Sequence, residues 1–286
     1  MKLYSLLGNS QKLDGGAMYG NAPKALWSRY SPPDEQNRID LACRCLLLEI
    51  PSRLILFETG IGTFFPPEMK ERYGVQESEH CLLDSIKKTG FSPADITDIV
   101  LSHLHFDHAG GLLTAYEAGK SPQLLFPNAR FYVGQSALER AKKPHFRDRA
   151  SFIPELPTLL ESSQRLEIIH HSHQHSLAPF VVFRFSEGHT PGLLLSEVQG
   201  ARANVIFVSD LIPGSPWVHV PLTMGYDRFP EKLIEEKQSL LEECLQKGTY
   251  LFFTHDPLYA MSRIQKDEKG KFSVKSPLSE LQKWEL

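Results

Sequence analysis

The chain has 286 residues, of which 41% are hydrophobic and 23% charged, and its formal net charge is −3. This composition is typical of a globular protein, and the slightly acidic balance disfavours nucleic acid as a partner. No apolar run approaches the ~20 residues needed to cross a bilayer, and residues 1–16 lack the pattern of a signal peptide, so we expect no membrane partner.

The four cysteines are sparse and form no C-x-x-C pair, which argues against a disulfide framework. Cys43 and Cys45 alternate with their neighbours in a strand-like run and are interpreted as buried free thiols, whereas Cys81 and Cys244 stand alone. This usage predicts a reducing, cytoplasmic location.

Hydrophobic patterning in the first half of the chain predicts strands and helices in alternation. The runs LACRCLLLEI and PSRLILFETG are predicted to be two strands joined by a tight Pro-Ser turn, and residues 80–89 form a helix-like segment. The short β-branched run DITDIVLSH predicts a buried strand. ARFYVG followed by QSALERAKK predicts a strand and then a helix.

The second half predicts three further strands, in PFVVFRF, GLLLSEV and NVIFVSD, and a last one in TYLFFTHDP. Between them a helix is expected from about Pro230 to a C-cap near Gly248. Two groups of strands with helices and no linker predict an α/β sandwich, two sheets face to face, in a single domain over 1–286. Residues 145–178, rich in Pro, His and Ser, are predicted to be an irregular cap or insertion of the kind that often borders a binding site.

The stretch LSHLHFDHAGG, residues 101–111, concentrates side chains that can bind metals. If a strand ends there, His103 and His105 point the same way, whereas Asp107 and His108 break the alternation and require the chain to turn. This geometry suits two adjacent metal ions better than one, with the first two residues serving one ion and the last two the other. A solvated, histidine-rich loop is the alternative.

Three more candidate ligands follow at predicted strand ends. His189 lies in the turn EGHTPG, Asp210 ends VIFVSD, and His255 follows an apolar strand. Each alone is weakly suggestive, and Asp210 could equally be a helix cap. Because burying such groups without partners is costly, convergence of all of them on one metal centre is favoured.

In this order and spacing the set resembles the metallo-β-lactamase superfamily, over about residues 40–260. The resemblance implies an αββα sandwich of two mixed sheets with the site at one edge. It further implies a first metal held by His103, His105 and His189, a second held by Asp107, His108 and His255, and Asp210 bridging them. The motifs SHLHFDHAGG, GHTPG, SDLIP and HDP are most similar to the acyl-homoserine lactonase and organophosphate-hydrolase-like branch.

Imidazole and carboxylate ligands suit zinc, with iron, manganese or cobalt as alternatives for the two divalent ions. A water held between two such ions becomes a hydroxide nucleophile that would attack a carbonyl carbon or a phosphorus centre. The resemblance to the lactonase branch favours a small lactone or ester as the substrate. Asp107 and Asp210 are therefore predicted to be catalytic as well as ligating.

Two positions depart from the family pattern. Glu58 in FETG stands where members carry Asp, and it is predicted to keep the role of orienting a metal-binding histidine. Pro213 occupies the position of a tyrosine that polarises the lactone carbonyl. We expect His219 or Tyr226 to donate that hydrogen bond instead, and Trp217 and Met224 to form an apolar wall; structural roles for these four are the alternative.

The remaining histidine-rich and basic stretches are predicted to lie at the surface. HHSHQH, residues 170–175, is interpreted as an exposed edge or loop, and Lys142-Lys143 as solvated surface. The partner is predicted to be a small-molecule substrate, with a homodimer left open. The alternatives to a lactonase are a phosphotriester or phosphodiester hydrolase of the same fold, a redox enzyme with one iron, and a non-catalytic ligand-binding member.

Overall fold

A computed structural model describes all 286 residues. The strands are β1 (Lys2–Asp14), β2 (Arg38–Ile50), β3 (Arg53–Phe57), β4 (Asp98–Val100), β5 (Arg130–Gly134), β6 (Leu166–Ile169), β7 (Val181–Ser186), β8 (Leu193–Gln199), β9 (Asn204–Phe207), β10 (Tyr250–Phe252), β11 (Met261–Lys266), β12 (Phe272–Leu278) and β13 (Trp284–Glu285). The helices are α1 (Gly15–Tyr19), α2 (Lys24–Trp27), α3 (Pro67–Arg72), α4 (Cys81–Thr89), α5 (Phe106–Ala109), α6 (Gln135–Lys142), α7 (Leu156–Ser162) and α8 (Pro230–Lys247).

The strands form two mixed sheets, which confirms the predicted α/β sandwich. The first sheet has the order β13-β1-β2-β3-β4-β5-β6, antiparallel up to β3 and parallel from β3 to β6. The second has the order β12-β11-β10-β9-β8-β7, with β9 and β10 as its parallel pair. The parallel strands β3 to β5 and β9 to β10 deliver their carboxyl ends to one edge, where ligands are expected to bind.

Three apolar clusters hold the layers together. The middle cluster lies between the sheets and includes Leu46, Phe57, Phe183 and Phe207. A second packs the first sheet against α4, α6 and α7, and a third packs the second sheet against α8. Leu233, Leu240, Leu241 and Cys244 of α8 are buried, and Gly248 ends the helix at φ +68, where the C-cap was predicted.

The structure adds elements that the patterns do not predict. β1 carries the polar run GNSQ, and β12 is an edge strand, paired with β11, that exposes Ser273, Lys275 and Ser276. Residues 145–178 are not irregular throughout, because they contain α7 and the edge strand β6. Leu156 and Leu160 of α7 are buried in the core, which explains why this short segment is ordered. The division into one domain remains a prediction.

Two further expectations concern the thiols and the helices. Cys43 and Cys45 are free and fully buried, as predicted, while Cys81 is partly exposed. None of the helices combines the length and the apolar character needed to cross a membrane.

Candidate metal centre

The histidine-rich motif begins where β4 ends and turns into α5. His105 has extended backbone geometry, with φ −69 and ψ 153, and α5 starts at the next residue. The predicted turn after His105 is therefore present. Gly111 packs so tightly that a β carbon there would lie 2.0 Å from the carbonyl oxygen of Thr59, so only glycine fits.

Four side chains of the motif and its neighbours form one half of a buried cluster. His103 Nε2 lies 3.0 Å from His105 Nδ1, which lies 3.4 Å from His189 Nε2. Asp210 Oδ2 lies 3.2 Å from His189 Nε2. The four ligand atoms lie within 4.8 Å of one another and could hold a metal ion.

Three further side chains form the other half, and Asp210 reaches both. His108 Nε2 lies 3.2 Å from His255 Nε2, and the Asp107 carboxylate lies 3.6 Å from the first and 3.7 Å from the second. Asp210 Oδ1 lies 3.2 Å from His255 Nε2, while its Oδ2 faces the first half. The seven predicted residues thus come together in the two groups that were expected.

In three of the histidines the Nδ1 atom, which points away from the cluster, bonds to an acceptor, and this leaves Nε2 facing the cluster. His189 Nδ1 donates to Asp227 Oδ1 at 2.9 Å, His255 Nδ1 to the carbonyl of Ala42 at 2.7 Å, and His108 Nδ1 to Glu58 at 2.8 Å. Since carboxylates and carbonyls only accept, each Nδ1 carries the proton. Each Nε2 therefore faces the cluster, where a bound cation can take the place of a proton on that nitrogen, as in a metal ligand.

Glu58 accepts more hydrogen bonds than any other member of the outer layer, the set of side chains that bond to the histidines from behind. It is 1% exposed, and its Oε1 accepts hydrogen bonds from Ser102 and Ser209, while its Oε2 accepts from His108 and Thr254. Because the Ser102 hydroxyl already donates to Glu58, its oxygen accepts from His103 Nδ1 at 2.9 Å. Glu58 has a left-handed backbone φ of +62, and its carboxylate lies beneath His108 and Ser102.

Burial and charge pull the pKa values of the cluster in opposite directions. Burial lowers the pKa of His103 and of His105 well below the usual range. Burial also acts on His108 and His255, but nearby carboxylates outweigh it, and the pKa of each is raised well above the usual range. Burial would raise the pKa of Asp210, yet the surrounding histidines hold it well below its ordinary value.

The donor set fits bound cations. His108 and His255 aim their Nε2 atoms at each other at 3.2 Å and at Asp210 at 3.3 and 3.2 Å, so these atoms converge on one point where either a proton or a bound cation would supply positive charge. Asp210 Oδ1 is buried and accepts no hydrogen bond. Nitrogen and oxygen donors of this kind suit zinc and other first-row divalent ions.

The cluster lies at the base of a small pocket that opens beside a larger groove. The pocket holds about 60 Å³, and Met18, Leu41, Met224 and Tyr226 line it together with the cluster. None of its lining residues is Lys or Arg. Burial raises the pKa of Tyr226 to about 12, so its hydroxyl stays protonated at neutral pH and can donate a hydrogen bond.

The groove has a volume of about 730 Å³ and shares Tyr73 and Phe106 with the pocket. These rings pack at 4.3 Å between centroids, and Phe65 packs on Phe106 at 5.1 Å. Phe152, from the segment 145–178, forms part of the wall. Its ring lies 4.7 Å from that of His105, so this segment borders the cluster.

Among the residues predicted to contact substrate, Tyr226 and Met224 line the pocket, and His219 does not. His219 is exposed and faces a separate surface hollow beside Lys266 and Lys269, so its predicted role at the cluster is wrong. It ends a 3-10 turn, Ser215–Val218, that directs it away from the metals. Trp217 is buried behind the pocket, where it stacks on Tyr19 at 4.6 Å.

Other sequence features take structural places. The carbonyl of Pro213 accepts a hydrogen bond from the backbone of His255 at 2.8 Å. His170 and His175 of the HHSHQH tract bond to Gln135 and to the backbone of Ser172, and this tract forms no metal-binding group.

Two functional candidates were missed by sequence reasoning. Asp227 accepts from His189 and, through Oδ2, from the backbone of Met224 at 2.7 Å. Gln11 donates to Asp107 at 2.7 Å from β1. Neither belongs to a spaced motif, and a carboxylate three residues before Pro230 or an amide inside a polar run gives no signal.

Residues 38–255 match the family model described as the metallo-beta-lactamase superfamily, and the chain belongs to that family. Fold, matched segment and the His/Asp metal-binding cluster therefore agree, and the predicted family is confirmed.

The relatives include lactonases and hydrolases. An N-acyl homoserine lactonase from Bacillus sp is 25% identical over 234 residues, which cover 76% of this chain and 82% of the relative. A probable metal-dependent hydrolase from Staphylococcus aureus superposes with a TM-score of 0.85 at 25% identity, covering 96% of this chain and 97% of that one. AidC, described as a dizinc quorum-quenching lactonase, superposes with a TM-score of 0.75 at 24% identity, covering 96% and 93%.

Proposed function

We propose that this protein is a binuclear metal-dependent hydrolase of small lactones or esters that carry an apolar substituent. The observation that carries the proposal is Asp210, whose two oxygens each lie 3.2 Å from a histidine of a different half of the cluster. A carboxylate in that position would contact a cation in each half of the cluster. His103, His105 and His189 would hold one cation and Asp107, His108 and His255 the other, with zinc as the favoured metal.

Two bound divalent ions would supply a nucleophile from water at neutral pH and polarise the oxygen of the electrophile. The chain itself binds and orients the substrate. Tyr226 lines the pocket with a protonated hydroxyl and would donate a hydrogen bond to the acyl oxygen, the role for which Pro213 has no donor. Asp107 and Asp210 fix the ligand geometry in which this chemistry occurs.

The groove supports a substrate with an apolar tail. Its aromatic wall at Phe65, Tyr73 and Phe106 starts at the pocket and leads away from the cluster. The pocket offers no Lys or Arg to a charged phosphodiester, which favours a neutral ester or lactone. The lactonases among the relatives are consistent with this substrate class.

The proposal is tested by hydrolysis assays on zinc-loaded protein with a series of lactones of increasing alkyl substituent. An aryl ester and a paraoxon-like triester serve as alternatives. We expect kcat/KM to rise with tail length, and chelation to abolish activity.

Replacing Phe65 by Ala should flatten that dependence, whereas Phe229→Ala, at an exposed ring outside the groove, should not. Turnover of the triester but of no lactone would favour the phosphotriester alternative. No turnover of any substrate by fully loaded protein would contradict a hydrolase.

A further inference from the structure

Gln11 is a buried amide that is not one of the seven candidate metal ligands, although it contacts one of them. Its side chain is fully buried, and Nε2 donates to Asp107 Oδ2 at 2.7 Å. Its other end, Oε1, is buried and has no hydrogen-bond partner. A residue that served packing alone would not leave an acceptor unpaired, because an apolar side chain of the same size would avoid that cost.

A bulge in β1 places Gln11 on the face of the metal pocket. Leu7 pairs with Arg44, but Ser10 pairs with Ala42, so β1 has one residue more than β2 over this stretch. As a result Gln11 lies opposite Leu41, which lines the pocket. Without the extra residue Ser10 would take that position. Bulges often aim a side chain in this way beside an active site.

Asp107 has fewer hydrogen-bond partners than the two carboxylates of the outer layer. Glu58 accepts four hydrogen bonds and Asp227 two, whereas Gln11 makes the sole hydrogen bond to the Asp107 carboxylate. Asp107 is also the most exposed of the seven candidate ligands, at 9%. Without Gln11, no other side-chain hydrogen bond fixes the orientation of the Asp107 carboxylate.

We propose that Gln11 is a positioning residue that fixes the Asp107 carboxylate and thereby sets the affinity of the second metal position, and not of the first. The inference rests on the proposed binuclear centre. Gln11 binds no metal itself, because its nitrogen donates to Asp107. Partners of ligand carboxylates commonly change metal affinity by ~10- to 100-fold when they are removed.

The experiment compares wild type with Gln11→Met, which keeps the length of the side chain and removes the donor. Metal-depleted protein is titrated with Co²⁺ against a competing chelator, and the two dissociation constants are obtained from the visible absorption of the bound ion. Asn9→Gly is the matched control. It removes a buried amide of the same strand that bonds only to the backbone of Glu79 and Cys81, at a backbone φ of +72 that glycine accepts.

We expect Gln11→Met to weaken the second Co²⁺ site ~10- to 100-fold with the first unchanged, and Asn9→Gly to leave both constants unchanged. Equal affinities in Gln11→Met and wild type, or equal weakening of both sites, would overturn the inference. If Gln11→Met does not fold, Gln11→Leu is measured under the same criteria. Because the readout is metal binding, a protein that hydrolyses neither lactones nor esters but shows this selective loss would refute the proposed function and leave the role of Gln11 standing.

Discussion

Glu58→Gln tests how much of the centre depends on the layer behind the ligands. The substitution keeps size and turns one accepting oxygen into an NH₂ group, so two of the four donors around Glu58 lose their acceptor. At ~1–3 kcal/mol for each buried unsatisfied donor, the free energy of unfolding should fall by about 3 kcal/mol. For a chain of this size that corresponds to a lower Tm by roughly 5–10 °C.

The same substitution should weaken metal binding. His108 bonds directly to Glu58, and His103 is held through Ser102, so we expect each metal position to lose affinity by ~10- to 100-fold. The assay pairs thermal unfolding of metal-depleted protein with chelator-competition titration. Glu197→Gln is the matched control, since Glu197 is buried and bonds to Arg184 and Asn204 away from the cluster. Metal affinities in Glu58→Gln equal to those of Glu197→Gln would refute the reasoning.

Three further predictions address the bridge, the donor and a buried lysine. Asp210→Asn should lower occupancy of both metal positions by elemental analysis, because the carboxylate contacts both halves; loss at one position alone would contradict the bridge. Tyr226→Phe should lower kcat by roughly 10²-fold at unchanged metal content, since it removes a donor to the developing oxyanion; an unchanged kcat would remove Tyr226 from the mechanism. Lys237 is fully buried, its Nζ donates to the carbonyls of Trp217 and Leu222, and burial lowers its pKa from 10.5 to about 8. Between pH 8 and 10.5 the unfolded chain therefore binds more protons than the folded one, so the free energy of unfolding should rise with pH. Measured by urea unfolding, the rise from pH 7.5 to 9.5 should be about 2 kcal/mol larger in wild type than in Lys237→Met. Equal pH slopes in the two proteins would contradict this.

The sequence predicts most of the centre because the ligands lie where periodic strands end. Alternation places His103 and His105 together, and the apolar runs before Asp210 and His255 mark two more strand ends. The αββα layers follow from the same runs. These patterns involve residues that are close together in the sequence, so they can be recognised without the three-dimensional structure.

What the sequence does not predict depends on irregular or edge structure. His219 and Tyr226 lie in one loop, and no period tells which of them faces the metals; the 3-10 turn before His219 decides it. Gln11 reaches Asp107 because a one-residue bulge in β1 changes which side chains face the pocket, and the sequence gives no sign of that bulge. The edge strand β12 buries only Phe272, and its neighbour β11 ends in exposed Gln265 and Lys266, so their pattern resembles a solvated loop.

The most direct test of the account is the number of zinc ions bound per folded chain. Elemental analysis after zinc loading and desalting should be done on a variant with His170, His171 and His173 replaced by Asn, since exposed histidines could retain zinc at the surface. We predict two zinc ions per chain, with a loss in Asp210→Asn. A value of one or less, or two ions that persist in Asp210→Asn, would contradict a pair of cations bridged by this carboxylate.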